Sequence, residues 1–321
     1  MSTPLVSIVI PTRRRPASLA VALRSAFAQQ GVDAAAIELI VVDNDPDEVS
    51  RPTVEALAVQ APFPVLYVCE PRAGVAHARN AAVAQVRGRF IAFLDDDEEA
   101  PPHWLSALLD VQARLDADAV FGPVRGRAPD SVGAHRAYLE RFFSRVGPLE
   151  ACLLDAPFGC GDSLIRTAAL PSPQPFALTQ NHIGGEDDLL FMAMKARGAR
   201  FAWAPDAWVW EDPVPERLTL AYALRRAFAY GQGPAHSHWR RSPPNLPGVL
   251  FWMGVGVGQT LVYGSVALAK WILRAPDRAL ALDRAARGLG KVFWFPPFKP
   301  KFYGLPLPRT RQSGDLAVRP A

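Results

Sequence analysis

The chain is poor in the residues that staple small secreted folds. Its 321 residues include three cysteines, Cys69, Cys152 and Cys160, with no closely spaced pair. That excludes a disulfide framework and a thiolate zinc site, and it fits a reducing compartment. Six histidines are scattered, and the one close pair, His236 and His238, lies in a proline-rich stretch. The N-terminus, Met1-Ser-Thr-Pro, lacks a basic segment followed by an apolar one, so no secretory leader is expected. No internal repeat is visible. Nor does one sign of charge dominate, since the net charge is only +4.

What is present is an apolar chain with an uneven charge distribution. Half of the residues are hydrophobic, enough for a sizeable core. From Lys270 onward there are 11 Lys/Arg against 3 Asp/Glu, which leaves 24 against 28 for residues 1–269. A mildly acidic body thus carries a basic tail. Before the tail, Gly248 to Ala269 is a run of 22 residues without a formal charge. It is long enough to cross a bilayer. A single crossing would send the basic tail outside, against the preference for Lys/Arg on the cytoplasmic side. The expectation is therefore a helix, or a broken helical hairpin, in or dipping into the cytoplasmic leaflet. Residues 236–321 would form a membrane-associating region, peripheral or monotopic, with Trp252, Tyr263, Trp271 and Phe293-Trp294-Phe295 at the interface. The competing expectation is a core helix of a soluble domain. An acidic body and an apolar run argue against a nucleic-acid partner.

The first 122 residues alternate strand and helix patterns. Apolar, β-branched runs at 5–10, 37–42, 65–69, 90–94 and 119–121 read as strands buried on both faces, and periodic stretches between them read as helices. This is a doubly wound α/β layer, in which ligands sit beyond the carboxyl ends of the strands. Those ends carry Pro11 and Thr12 with three arginines, Arg13, Arg14 and Arg15, then Asp43 and Asp45, then Glu70 and Arg72, then Asp95-Asp96-Asp97. Arginines there suit phosphates, and carboxylates suit a hard divalent cation, Mg²⁺ or Mn²⁺. The second half is less regular. Short strands are expected at 201–203 and 208–210, and helices at 189–194 and 216–230.

The order and spacing of these groups resemble the family 2 glycosyltransferases. The matching stretches are Ser7-Ile-Val-Ile-Pro-Thr12, Val41-Val-Asp43-Asn44, Gly74-Val-Ala-His-Ala-Arg79-Asn80, Phe93-Leu-Asp-Asp-Asp97 and Gly185-Glu-Asp187. The resemblance spans about residues 5–235. Within the family, Gly184-Gly-Glu-Asp187 and Val209-Trp-Glu211-Asp-Pro are similar to the branch that builds bacterial surface polysaccharides on lipid-linked acceptors. It implies a GT-A fold: a doubly wound, mostly parallel mixed sheet flanked by helices, over residues 1–235. The nucleotide-sugar half would be about 1–122 and the acceptor half about 123–235.

The resemblance also implies roles. Asp43 would read the nucleobase, Asp95 would contact the donor ribose, and Asp97 would bind the metal, with Asp96 able to exchange with either. Asp187 would be the catalytic base of an inverting hexosyl transfer, with Glu186, Asp188 and Trp210 on the acceptor side. Arg79, Arg225 and Arg226 would lie on the donor side, the last two near the diphosphate. Many relatives carry a histidine near position 211 that approaches the metal. Glu211 stands there instead, and is expected either to substitute as an oxygen ligand or to leave that contact absent. The donor would be a nucleotide-diphosphate sugar, and the acceptor a lipid-linked or glycan hydroxyl at the cytoplasmic membrane surface. Two other classes remain at this stage. One is a metal-dependent nucleotidyltransferase, which would release pyrophosphate. The other is a non-catalytic membrane-attached scaffold.

Overall fold

The apolar runs become strands because helices cover both faces of the sheet they form. In a computed structural model describing residues 3–180, 185–300 and 302, the first half reads β1 (Val6–Thr12), α1 (Pro16–Phe27), β2 (Ile37–Asp43), α2 (Arg51–Ala58), β3 (Val65–Cys69), α3 (Val75–Val83), β4 (Phe90–Phe93), β5 (Glu98–Glu99), α4 (Trp104–Leu115), β6 (Ala119–Phe121) and β7 (Val124–Gly126). There follow α5 (Arg136–Phe143), β8 (Cys152–Leu154), β9 (Ser163–Arg166), α6 (Glu186–Ala196), β10 (Phe201–Trp203), β11 (Val209–Glu211), α7 (Leu220–Trp239), α8 (Leu246–Ile272) and α9 (Arg278–Val292).

Eight strands form one sheet in the order β3-β2-β1-β4-β9-β6-β10-β8. The first four are mutually parallel; β9 inserts antiparallel to both β4 and β6, and β8 closes the far edge antiparallel to β10. Leu19, Leu23, Trp104, Leu105 and Leu108 pack on one face, and Ala76, Ala78, Ala82, Leu190, Phe191 and Met194 on the other. β2 and β4 are accordingly buried throughout. A second sheet of three strands, β5-β11-β7, lies at the end of β4. The expected mixed, mostly parallel α/β architecture is present.

Local outcomes differ from the sequence reading in three places. β11 is displaced by one residue from the expected 208–210, which brings Glu211 into the small sheet opposite Glu98. α6 starts at Glu186, so the whole acidic triplet lies in its first turn. α7 runs on to Trp239, without a break at the expected domain boundary of 235. Of the two forms expected before the basic tail, a helix or a broken hairpin, α8 is the unbroken helix. The motif glycine Gly184 and the chain from 303 onward lie outside the described residues.

Candidate active site

Strand register decides which side chains meet at the carboxyl edge. Val9 pairs with Phe93 and Thr12 with Asp43, so the residues after β4 come level with the end of β1. Thr12 Oγ1 donates to Asp96 Oδ2 at 2.8 Å. Arg15, at the start of α1, donates to Asp96 Oδ1 at 2.9 Å and Asp97 Oδ2 at 3.0 Å. Arg217 reaches Asp97 Oδ2 at 3.4 Å. Arg14 is held by Asp45 and Asp47. Two of the three arginines expected to face phosphate thus neutralise protein carboxylates first. Arg13 retains a buried Nε with no partner among the described residues.

Asp43 has one occupied and one open oxygen. Its Oδ2 accepts from the Ser50 backbone N–H at 3.0 Å and from the Tyr67 hydroxyl at 2.9 Å. Oδ1 is buried without a partner among the described residues. Burial pushes the Asp43 pKa up, against the pull of those two donors. A buried acceptor left unpaired is costly, and a ligand N–H or O–H would relieve it. Asn44 fixes the adjoining wall, donating to the Glu70 and Arg72 carbonyls and accepting from Gly74 N–H at 2.6 Å. The Arg72 side chain is exposed and forked onto Glu70.

The aspartate run is part of a larger carboxylate cluster. Asp95 receives Arg79 at 3.5 Å, its backbone N–H donates to Glu98 Oε2 at 2.8 Å, and β5–β11 pairing sets Glu211 opposite Glu98. Burial raises the pKa of Asp95, Asp96 and Asp97, and pushes Glu98 and Glu211 well up; neighbouring carboxylates add to the rise at each. No described hydrogen bond or ion pair reaches the Glu211 carboxylate. Among the described residues no three His, Cys, Asp or Glu side chains converge as a complete metal cage. An excess of buried carboxylates without a closed cage fits Mg²⁺ or Mn²⁺ held by one or two carboxylates together with substrate phosphates. Of the two oxygen donors expected for it, Asp97 already receives Arg15 and Arg217, and Glu211 has no described partner.

The turn Phe158–Asp162 ties this cluster to the expected base. Asp187 Oδ2 accepts from the Cys160 backbone N–H at 3.2 Å, and Asp187 Oδ1 from the Asp188 N–H at 3.0 Å. On the other flank, a Cβ at Gly161 would sit 2.6 Å from Asp95 Oδ2, so only glycine lets the turn approach so closely. Arg145 pins the turn from below, donating to the carbonyls of Gly122 (2.8 Å), Gly159 (3.0 Å) and Asp162 (2.8 Å) and pairing with Asp162 Oδ2 at 3.2 Å. Trp104 Nε1 donates to Asp162 Oδ1 at 2.7 Å. Arg79, beneath both clusters, donates to Glu186 Oε1 at 2.6 Å and stacks near Phe176. Asn80 clamps the Phe176 backbone in both directions, at 2.8 and 3.0 Å. Cys160 is buried and its thiol pKa pushed up by that burial, which keeps it from acting as a nucleophile.

Burial raises the Asp162 carboxyl to about 7. The native state therefore holds a proton that the unfolded chain, titrating at about 4, has released. Since the native state binds more protons across that interval, stability falls as pH rises. We expect the melting temperature in chelator to decline between about pH 4 and 7, and the decline to flatten in Asp162→Asn. A pH series of thermal unfolding checks it; a melting temperature that rises through this window would contradict the assignment.

The remaining expected residues make other described contacts. Trp210 packs edge-on against Trp208 at 5.3 Å, with Arg127 over its ring at 5.3 Å, on the small sheet. Arg225 and Arg226 sit on α7 against Phe302, and Arg226 also bonds the Tyr230 hydroxyl. None of these described contacts is with the carboxylate cluster. The sequence pattern gives no site role to Arg145, Asp162, Glu98 or Arg217, which the structure places around the cluster. Arg145 comes from a stretch without a readable motif, and the others depend on strand pairings distant in sequence.

The chain is similar to known proteins in sequence and in fold. The sequence profile described as "Glycosyl transferase family 2" fits residues 7–170. The succinoglycan biosynthesis protein ExoM of Rhizobium meliloti is 37% identical over 235 residues, covering 71% of this chain and 73% of ExoM. The mannosyltransferase PcManGT of Pyrobaculum calidifontis, solved with GDP-Man and Mn²⁺, superposes with a TM-score of 0.62 at 20% identity, over 92% of this chain and 88% of that one. Residues 1–349 of S. aureus TarS, solved with UDP-GlcNAc, give a TM-score of 0.55 at 15% identity, over 89% and 90%. Against the longer TarS structure, the chain spans 54% of that protein.

Proposed function

The chain belongs to glycosyl transferase family 2, and from that premise we propose that it moves a hexose from a nucleotide-diphosphate sugar to a lipid-linked or glycan acceptor hydroxyl in bacterial surface-polysaccharide synthesis, at the cytoplasmic face of the membrane. One observation carries the reading. The open oxygen of Asp43, the crowded carboxylates Asp95 to Glu98 with Glu211, and Asp187 converge on one sheet edge, joined by the turn at Gly159–Gly161.

The roles follow from what each group can still do. Asp43 Oδ1 accepts a hydrogen bond from the nucleobase, and Asp95 takes the ribose. Asp97 and Glu211 would hold Mg²⁺ or Mn²⁺, which when bound would offset the charge gathering on the departing diphosphate. Arg15 and Arg217 keep Asp97 oriented and limit the repulsion among its neighbours. The acceptor oxygen attacks the anomeric carbon as the bond from that carbon to the diphosphate oxygen breaks, and the acceptor proton passes to Asp187. Attack opposite the leaving group inverts the anomeric centre. Glu186 is paired with the Arg79 cation, whereas the described contacts of Asp187 are two backbone N–H groups; Asp187 is therefore the carboxylate of the pair assigned the proton.

The test is a thermal-shift series with nucleoside diphosphates, with and without Mn²⁺. One base should raise the melting temperature above the others, and more so with Mn²⁺, because a ligand that binds only the folded state stabilises it in proportion to ligand excess over Kd. No shift with any nucleoside diphosphate would remove the reading. Product analysis separates the nearest alternative: sugar transfer releases a nucleoside diphosphate, nucleotidyl transfer releases pyrophosphate.

A further inference from the structure

α8 is built inside out for a helix in water. Gln259 and Tyr263 turn towards α9: Gln259 Nε2 donates to the Arg284 carbonyl at 2.7 Å, Lys291 donates back to Gln259 Oε1 at 2.9 Å, and the Tyr263 hydroxyl receives Arg284 at 3.1 Å. Its large apolar side chains point outward. Leu250, Phe251, Leu261, Val262, Leu268, Trp271 and Ile272 are all more than half exposed, Leu250 at 68% and Leu261 at 65%. Only 11% of its most apolar window is buried. No charged residue occurs between Leu246 and Ala269. A surface helix of a soluble domain has the opposite arrangement, and a contiguous apolar face of this kind marks an interaction site.

The packing beneath it decides how that face can be covered. α8 and α9 run antiparallel, with Gly256 against Gly288 and Lys291, Gln259 and Tyr263 beside Arg284, and Lys270 paired with Asp277. A Cβ on Gly288 would come 2.5 Å from Thr260 Oγ1, so the two backbones touch. α9 in turn lies on α7, where a Cβ on Gly290 would come 2.0 Å from the Phe228 carbonyl oxygen. α9 carries Arg278, Asp283, Arg284, Arg287 and Lys291. A transmembrane α8 would have to leave this contact or drag those charges into hydrocarbon, where each is costly. Basic residues flank the apolar stretch in sequence instead: Arg240 and Arg241 before α8, Lys270 in its last turn, and Arg274 and Arg278 after it. They complement the phosphates of an anionic leaflet.

We propose that α8 is an in-plane anchor: its outward apolar face sinks into one leaflet of an anionic bilayer, and the chain does not cross. This deepens the membrane placement of the proposed function and needs no sugar transfer to be tested. The full chain is floated with phosphatidylcholine vesicles and with vesicles in which about a third of the lipid is phosphatidylglycerol. Flotation is expected with the anionic vesicles, and at least a tenfold loss in Leu261→Lys/Val262→Lys with unchanged circular dichroism. These side chains touch solvent, so the substitution leaves the packing of α7, α8 and α9 in place. A cysteine at Pro276, in the exposed α8–α9 connection, should label with a membrane-impermeant maleimide on vesicle-bound protein above the level of the parent chain. Protection of that cysteine would mean that α8 spans and would overturn the proposal. So would absent flotation, or flotation indifferent to the two lysines. Failure of sugar transfer with flotation intact would instead count against the catalytic reading alone.

Discussion

Asp187→Asn should abolish sugar transfer while leaving donor binding nearly unchanged. The amide keeps the size of the carboxylate and an oxygen to accept the Cys160 N–H at its present 3.2 Å, so the turn above Asp95 should stay in place. What disappears is the capacity to take a proton, and a positioned general base contributes about 10²–10⁴-fold to rate. The expected result is a fall of that order in kcat, with the thermal shift by the nucleoside diphosphate unaltered. Asp188→Asn is the control. Asp188 is exposed, and its backbone N–H already serves Asp187, so its side chain has no described role in holding the site. If Asp187→Asn keeps its rate and Asp188→Asn loses it, the base has been placed one residue too early on α6.

Where the chemistry is carried by strand ends, it was legible in the chain itself. Thr12, Asp43 and the aspartate run each close a continuously apolar stretch, and parallel register between neighbours brings such closures to one edge without further information. The expectation for Asp187 rests on its motif, because a glycine before an acidic first turn is a local feature. Arg145 was not legible. It lies in a stretch of weak periodicity, and it matters only because β9 inserts antiparallel between β4 and β6 and lays the turn before it across the aspartates. Glu211 lay between the two cases. Its identity drew attention, but its position depends on β11 pairing with β5 across more than a hundred residues. Local apolar pattern sets which elements form; pairing between distant short strands does not appear in it. The inverted face of α8 was likewise hidden, because composition gives an uncharged run but not the side on which Gln259 and Tyr263 find partners.

Arg79 separates two readings of the same residue. The sequence placed it among donor-binding groups, yet the structure buries it with one nitrogen on Glu186 at 2.6 Å and another 3.5 Å from Asp95. Opposite charges drive its pKa up despite burial, so it is a fixed cation beneath both acidic clusters. Arg79→Met would leave Glu186, whose second oxygen already lacks a partner among the described residues, as an uncompensated buried charge. Breaking such a pair costs about 3–5 kcal/mol, and removing both partners costs much less. Arg79→Met should therefore lower the urea midpoint strongly, and Arg79→Met/Glu186→Gln should recover most of it. Arg79→Lys keeps the charge but not the two-pronged reach, and should fall between. If Arg79 served chiefly to hold donor phosphate, the pattern would differ. The single variant would raise the donor KM at nearly unchanged stability, and Glu186→Gln would rescue nothing. Recovery of stability without recovery of kcat in the double variant would identify Arg79 as the residue that positions the Glu186–Asp187 pair against the aspartates, with donor binding secondary.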